Sequence, residues 1–379
     1  MSNLNRAQEI VRQFTPNWFT ATMGTGILAL ALNQFPLHIP GVHALAEGLW
    51  FLNIALFLLF TILYVSRWVA HYEGARRIFG HSVVSMFFGA IPMGLATIIN
   101  GFLVFGLPLW GNVALKTASV LWWIDVVMAV ASGVLIPFMM FTRQEHSLEK
   151  MTAVWLLPVV AAEVSAASGA LLVLHMPDPQ AALRAVVLSY VLWAFSVPLA
   201  MSILVILLMR LVLHKLPPSD MAATGWLALG PIGTGALGLI LLGADAGQIF
   251  PAAGLPGIGE VAFGIGVIGG FMLWGYGLWW FMIALLNTRH YLQRGMPFNL
   301  GWWGFTFPIG VYAVATLALA RQTHIGFLSF VGGLLVFVLL GLWLTIATRT
   351  LHGAWHGYLF VSPCLVPGSI PEDRSTDPA

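Results

Sequence analysis

Two carboxylic acids lie within runs of the sequence that hold no other charge. Asp125 stands in "WWIDVVMA" and Glu163 in "VVAAEVSAA". An ionised carboxylate at the centre of a membrane helix costs roughly 2.5–3.5 kcal/mol, so such a residue is a functional candidate. Glu163 follows Pro158 by five residues, and desolvation favours its protonated form, so it is the candidate for proton coupling. An interhelical hydrogen bond is the alternative for Glu163 and the favoured role for Asp125.

A second candidate chemistry is anion binding by backbone amides. Proline follows an aromatic residue in four apolar runs, and small residues come after it: "FFGAIPMGLAT", "WLLPVVAAEVSAASG", "GWLALGPIGTGALG" and "GWWGFTFPIGVYA". A fifth run, "NWFTATMGTGILAL", holds Thr22 at the corresponding place. A proline that begins a new half-helix leaves the amides after it as the positive end of a helix dipole, which attracts anions.

The residues around these five landmarks suit a partly desolvated anion. Hydroxyl groups donate hydrogen bonds, glycines allow close backbone approach, and no Lys or Arg lies in these runs. The alternative is that the small residues only let helices pack closely. The predicted pore and anion-binding residues are Thr22, Gly24, Thr25, Pro92, Gly94, Pro158, Pro231, Gly233, Thr234, Thr306 and Pro308.

The composition places these runs in a membrane. Of 379 residues, 59% are hydrophobic and only 8% are charged, whereas soluble domains carry about 25% charged residues. The net charge of +2 gives no case for nucleic acid, and the single cysteine, Cys364, excludes an intramolecular disulfide. Runs of about 20 apolar residues can span a bilayer. Ten such runs are predicted, at 17–35, 46–66, 82–106, 117–142, 152–175, 185–209, 221–243, 260–288, 298–320 and 325–348.

The landmarks indicate an internal repeat. They are 70, 66, 73 and 77 residues apart, so one helical hairpin recurs five times about an axis along the membrane normal. The alternative is coincidence, because proline is frequent in membrane helices. The repeat predicts an all-α integral membrane protein of ten transmembrane helices, arranged as five hairpins around a central pore. No His or Lys joins the two mid-span acids, so we predict no enzymatic activity, no cofactor and no metal site.

Basic residues orient the hairpins. Thirteen lie at the N-terminus, in the loops after even-numbered spans or at the C-terminus, and three, Lys116, Arg184 and Arg321, lie on the opposite side. Positive charge stays in the cytoplasm, so both termini are predicted to be cytoplasmic. The predicted divisions are an N-terminal segment (1–15), a transmembrane domain (16–354) and a partly disordered tail (355–379).

At "NWFTATMGTGI" and "FNLGWWGFTFPIGVYA" the sequence resembles the tellurite-resistance/dicarboxylate transporter family. That family includes fungal malate permeases and sulfite pumps, bacterial tellurite-resistance proteins and plant slow anion channels. The resemblance implies a homotrimer in a lipid bilayer that carries a small anion. It also implies that Phe307, which directly precedes Pro308, gates the pore. Its position before a proline, taken alone, leaves a second interpretation open, in which the ring is buried between helices.

From this resemblance we expect a transporter of C4-dicarboxylates such as malate in a bacterial inner membrane, with Glu163 as the candidate for proton coupling. The alternative is a passive gated channel or an exporter for small anions such as sulfite, tellurite, chloride or nitrate.

Overall fold

A computed structural model describes residues 3–365 of the chain, and every regular element in that range is helical. The predicted disorder of residues 366–379 therefore lies outside the described residues. In chain order the α-helices are α1 (Asn3–Gln13), α2 (Thr20–Asn33), α3 (Val42–Ala70), α4 (Tyr72–Arg76), α5 (Ala90–Gly101), α6 (Leu107–Trp110), α7 (Asn112–Thr142), α8 (Leu157–Val173), α9 (Pro179–His214), α10 (Leu229–Ala252), α11 (Pro256–Arg294), α12 (Thr306–Thr323) and α13 (Gly326–His356).

Five helices form a closed inner ring. In order around the ring, α2 packs on α5, α5 on α8, α8 on α10, α10 on α12, and α12 returns to α2. The five long helices α3, α7, α9, α11 and α13 lie outside. Each packs on the inner helix of its own hairpin and on the next one along the ring, so it covers the seam between them. The arrangement is the predicted one of five hairpins about one axis.

Burial separates the two layers. In the outer helices 17–33% of the most apolar window is buried, against 72–94% for the four inner helices that are long enough to compare. Outer helices can be apolar all round because lipid covers their outer surface. The inner helices contact protein on nearly every side, so they tolerate hydroxyls and glycines at membrane depth.

The number of spans differs from the prediction in one place. Within residues 3–365, nine continuous helical stretches are long and apolar enough to cross a membrane, when each inner α-helix is taken together with the 3-10 and π segments next to it. The predicted first span, at 17–35, is a short 3-10 segment, Pro16–Phe19, followed by the 14-residue α2. Protein surrounds α2, so this helix does not need to be as apolar as a helix that faces lipid. Its polar threonines are buried.

Each inner helix begins in the same way. A 3-10 segment precedes the α-helix in all five: Pro16–Phe19, Val84–Gly89, Ala153–Leu156, Ser219–Ala228 and Leu300–Phe305. The α-helix then starts one or two residues before the landmark proline, or before Thr22 in α2. Proline has no N–H to donate, so it fits the first turn of a helix, where the amides have no partner within the helix. The five junctions confirm that the sequence repeat is a structural repeat.

The end of the described chain returns to its beginning. Phe360 stacks on Trp18 with 4.8 Å between ring centroids, and the Ser362 N–H donates to Oε1 of Gln13 at 2.7 Å. The buried Arg67 side chain, at the end of α3, donates to the carbonyl of Phe14 and to the Ser362 hydroxyl. Residues 357–365 therefore lie against the segment that leads into the first inner helix.

Candidate functional site

A cavity of about 480 Å³ lies on the axis of the inner ring, and all five inner helices contribute to its wall. The lining residues of each helix recur at intervals of three or four, as in Thr234, Leu237 and Leu241 of α10. That interval keeps one face of a helix toward a common centre. The wall is mostly apolar, and the polar residues that line it are Asn33, Gln34, Thr97, Asn100, Thr234 and Arg321.

Phe307 closes one end of this cavity. Its side chain is 4% exposed and lines both the large cavity and a second space of about 20 Å³ on the other side. The second space is also lined by all five inner-helix segments, including Met23, Phe87 and Trp303. A single ring therefore separates two spaces on the same axis. An apolar ring at a constriction excludes water and ions, which is the geometry of a hydrophobic gate.

The mouth of the large cavity carries a cation. Arg321 lies at the end of α12 farthest from Phe307, and its Nη2 donates to Oε1 of Gln34 at 2.7 Å. Among the described residues that line the cavity, Arg321 has the one formal charge and there is no carboxylate. Sequence reasoning did not assign Arg321 to the site. The available signal was its position, because it is one of three basic residues on the side with few positive charges.

Thr234 lines the deep end of the cavity, but its hydroxyl oxygen is itself buried among protein atoms. Thr234 is 1% exposed, lines the cavity, and its Oγ1 has no hydrogen bond within the protein. The neighbouring Thr97 differs, because its hydroxyl donates to the Gly94 carbonyl and accepts from Nδ2 of Asn53. A buried hydroxyl without a partner is costly, so the two threonines differ in how well the packing of the inner helices satisfies them.

The other predicted hydroxyl groups lie away from the cavity. Thr22 donates to the Phe19 carbonyl at 2.7 Å, Thr306 donates to the Trp303 carbonyl at 2.7 Å, and Thr25 accepts from the Trp343 indole at 3.0 Å. Their positions on α2 and α12 face neighbouring helices. The structure thus brings Thr234 and Phe307 together on the large cavity and leaves these three threonines in helix contacts.

The predicted glycines also lie at helix contacts. A Cβ atom on Gly24 would overlap the side chains of Thr306 and Trp303, and one on Gly94 would overlap that of Thr22. Gly233 lies against the backbone of Tyr312. These glycines let the inner helices approach closely enough to close the ring. Their positions fit the alternative interpretation, in which the small residues serve helix packing. Of the predicted prolines, Pro308 lines the small space, while Pro92, Pro158 and Pro231 are buried and line neither space.

Glu163 lies beside the cavity wall and does not line it. The next residue, Val164, lines the cavity, whereas the fully buried Glu163 carboxyl group lies near Ser196 of the outer helix α9. The Ser196 hydroxyl donates to the Val159 carbonyl at 2.9 Å, and neither carboxyl oxygen of Glu163 has a hydrogen bond within the described residues. The acid is therefore close to the wall at the gate end and separated from the pore.

Asp125 takes the predicted structural role. Its Oδ2 accepts a hydrogen bond of 2.5 Å from the hydroxyl of Ser165, which joins α7 to α8. A third buried acid, Asp245, was not predicted. The seventh span was predicted to end at residue 243, whereas α10 continues to Ala252. Asp245 is 4% exposed and lies near Tyr190 of α9.

The chain matches the sequence model of a family described as "SLAC1: Voltage-dependent anion channel" over residues 13–351. It is 37% identical over 352 residues to the sulfite efflux pump SSU1 of the fungus Arthroderma benhamiae, covering 92% of this chain and 93% of that protein. An uncharacterized transporter of Methanocaldococcus jannaschii is 28% identical, with coverage of 93% and 96%. The malic acid transport protein of Schizosaccharomyces pombe is 21% identical, with coverage of 82% and 72%.

These relatives correct two predictions. Malate is not supported as the substrate, because the proteins at 37% identity are sulfite efflux pumps and the malate transporter is far more distant. The prediction of a bacterial inner membrane is wrong, because those pumps come from fungi. Hydrophobic runs and loop charges place helices in a membrane but do not distinguish a bacterial membrane from a fungal one. The multi-pass membrane location is supported.

Proposed function

Because this chain belongs to the family of SLAC1 voltage-dependent anion channels, as its motifs predicted, we propose that it exports sulfite across a membrane. Its family consists of anion transporters and channels, so the chain is not an enzyme. Sulfite is favoured over malate by the 37% identity to sulfite efflux pumps along nearly the whole of both chains.

The observation that supports anion transport most directly is the cavity that ends at Phe307. Its described lining has one cation at the mouth, hydroxyl and amide groups further in, and no carboxylate. A wall of this kind attracts anions and holds them weakly, and weak binding is needed for release. Arg321 would attract an anion that has passed Phe307 toward the mouth, and the polar groups would replace part of its water shell.

Phe307 would control passage between the two spaces. With the ring in place, the small space of about 20 Å³ has room for little more than one water molecule. Rotation of the side chain would join it to the large cavity and complete a path along the axis. Each inner helix is fixed by close contacts at its 3-10 junction, so a ring movement is a smaller change than movement of a helix.

The direction of transport depends on topology. We propose cytoplasmic termini, a membrane domain at 16–354 and cytoplasmic flanks at 1–15 and 355–379, on the basis of the loop charges. The large cavity would then open to the outside, and sulfite would reach Phe307 from the cytoplasm through the narrow side.

Labelling tests this orientation. In a Cys364→Ser background, a cysteine at Leu148 should react with an impermeant maleimide only after the cells are opened. A cysteine at Gln34, at the mouth of the cavity, should react in intact cells. Reaction of Leu148→Cys in intact cells would overturn the orientation.

We further propose that the chain forms a homotrimer through its outer helices. The helix α11 is the least buried of the long helices, at 17% of its most apolar window. A Cβ atom added to its glycines Gly257, Gly264 or Gly275 would meet no neighbouring atom within 4 Å. Exposed small residues permit close packing between membrane helices. Mass measurement of the detergent-solubilised protein gives the number of copies.

Efflux from loaded proteoliposomes tests the substrate. Purified protein should accelerate the efflux of sulfite from loaded vesicles, with malate efflux much slower, and protein-free vesicles serve as the control for leak. Efflux of malate faster than sulfite would refute sulfite as the substrate and restore the dicarboxylate alternative.

A further inference from the structure

The end of the outer helix in every hairpin contacts the segment that leads into the inner helix of the same hairpin. In four hairpins a buried side chain at or just after the end of the outer helix donates a hydrogen bond to a backbone carbonyl that precedes the 3-10 segment. The four donors and their carbonyls are Arg67 and Phe14, Gln144 and Phe79, Arg210 and Glu149, and Tyr291 and Pro217. The contact therefore recurs with the hairpin repeat and fixes the starts of these inner helices.

The fifth hairpin, which carries Phe307, makes this contact differently. The guanidinium carbon of Arg349, on α13, lies 5.2 Å from the ring centroid of Trp302 and 5.8 Å from that of Phe298. A cation within about 6 Å of an aromatic face is attracted to it. Arg349 is exposed, and an exposed contact of this kind is weaker than a buried hydrogen bond from a charged donor. The contact that holds the Phe307 segment is thus more easily released than those of Arg67 and Arg210.

The next residue of α13 holds the neighbouring tryptophan. The indole N–H of Trp303 donates to the hydroxyl of Thr350 at 3.1 Å, and both side chains are buried. Two adjacent residues of α13 therefore hold the two adjacent tryptophans of "GWWGFTFPIG". We call these two contacts, of Arg349 with Trp302 and of Thr350 with Trp303, the tryptophan clamp.

The clamp is connected to Phe307 through a short segment. Trp303 lines the small space together with Phe307, and its carbonyl accepts a hydrogen bond of 2.7 Å from the Thr306 hydroxyl. Trp302 packs edge-on against Phe305, with 5.9 Å between ring centroids. Only a few backbone bonds separate these residues from Phe307, and Pro308 restricts the backbone there. A shift of the two tryptophans therefore moves the start of α12 and the Phe307 ring.

We propose that Arg349 and Thr350 are positioning residues for the gate, which hold Trp302 and Trp303 on α13 and so keep Phe307 across the axis. Loosening the clamp lets the ring leave the constriction more often and raises anion flux. This inference rests on the proposed role of Phe307 and is independent of which anion is carried. If Arg349 instead attracted anions to the narrow side, removal of its charge would lower the flux.

The direction of the change in flux tests Arg349. Arg349→Gln should raise sulfite efflux from proteoliposomes about three- to fivefold, as expected for the loss of one exposed cation–π contact. Arg349→Lys keeps the charge without the planar group and should give a smaller rise. Arg294→Gln is the matched control, because Arg294 is an exposed arginine in the last turn of α11, on the same side. Flux that is unchanged or lower in Arg349→Gln would overturn the proposal.

A double-mutant cycle tests whether Arg349 acts through Phe307. In a Phe307→Ala background there is no ring to position, so Arg349→Gln should give no further rise in flux. Residues that act through one element are non-additive in this way. The same rise in both backgrounds would show that Arg349 acts elsewhere, and it would overturn the positioning role.

Thr350 is tested by removing and restoring its hydroxyl. Thr350→Val leaves the Trp303 indole without an acceptor and should raise the flux, whereas Thr350→Ser retains the acceptor and should behave as wild type. Thr348→Val is the matched control on α13, because the Thr348 hydroxyl is exposed and bonds to the Leu344 carbonyl of its own helix. Wild-type flux in Thr350→Val would remove Thr350 from the clamp.

Cysteine labelling separates the clamp from the proposed substrate. In a Cys364→Ser background, Met23→Cys places a thiol in the small space, beyond Phe307 as seen from the mouth. An impermeant methanethiosulfonate, added to sealed vesicles on the side where Gln34→Cys reacts, should label it faster after Arg349→Gln. If sulfite does not move but labelling is faster, the proposed substrate is wrong and the clamp stands. If sulfite moves and Arg349→Gln changes neither flux nor labelling, the substrate stands and the clamp is wrong.

Discussion

The two sides of Phe307 are built from the same five helices and differ in almost every other respect. On one side the α-helical parts of the inner ring enclose about 480 Å³, with hydroxyl and amide groups and Arg321 in the wall. On the other side the 3-10 segments enclose about 20 Å³ among large side chains, including Phe87 and Trp303. Phe307 lies in the first turn of α12, where the backbone changes from a 3-10 helix to an α-helix.

The two sides suit two different roles, which are holding an anion and fixing the starts of the inner helices. The wide side can hold a partly hydrated anion because its wall has polar groups and room for water. The narrow side fixes the helix starts, because aromatic rings and close glycine contacts fill the space between them. Trp303, for example, lies against Gly24, and its indole donates to Thr350 of α13 at 3.1 Å. Because these contacts fix the helix starts, we propose the Phe307 side chain as the element that controls the axis.

Removing the gate ring should abolish the difference and give the largest effect. Phe307→Ala joins the two spaces, and we expect sulfite flux to rise by at least about tenfold, equivalent to roughly 1.4 kcal/mol of barrier. Phe305→Ala is the control, since Phe305 is buried beside Trp226 and Trp302 and does not line the cavity. Flux unchanged by Phe307→Ala, in protein that elutes as a folded species, would show that the ring is structural.

Removing the charge of Arg321 at the cavity mouth should reduce the attraction of anions to the large cavity without affecting Phe307. Arg321→Gln is expected to lower anion flux roughly three- to tenfold at low ionic strength, and less in high salt, because an exposed charge acts through a screened field. Arg321→Lys retains the charge and should retain most of the flux. A loss that is the same at all salt concentrations would point to the Gln34 contact instead of the charge.

Substitution of Glu163 should have the smallest effect on flux, because its side chain lies outside both spaces. Glu163→Gln is expected to leave exchange of labelled substrate within about twofold of wild type, since the two side chains are nearly the same shape. If Glu163 couples a proton to transport, the variant should lose accumulation of substrate driven by an imposed proton gradient. Accumulation equal to wild type would leave the acid with a structural role only.

Local pattern was sufficient to predict the architecture. Prolines and Thr22 recur at similar spacing, and the structure begins an α-helix one or two residues before each of them. Loss of the proline N–H acts on its own helix, so its consequence can be read from the sequence. The resemblance of the "FP" motif located Phe307, which the structure places at the constriction.

The amino-acid sequence was enough to predict the repeat, the helical hairpins, the membrane environment and the family. The tertiary structure alone decided which face of each inner helix is turned to the axis. An inner helix has protein on all sides, so its apolar and polar residues show no periodicity that distinguishes the cavity from a neighbouring helix. For that reason Thr234 faces the cavity and Thr22 a helix, Glu163 lies behind the wall, and Arg321, distant in sequence from Gln34, meets it at the mouth.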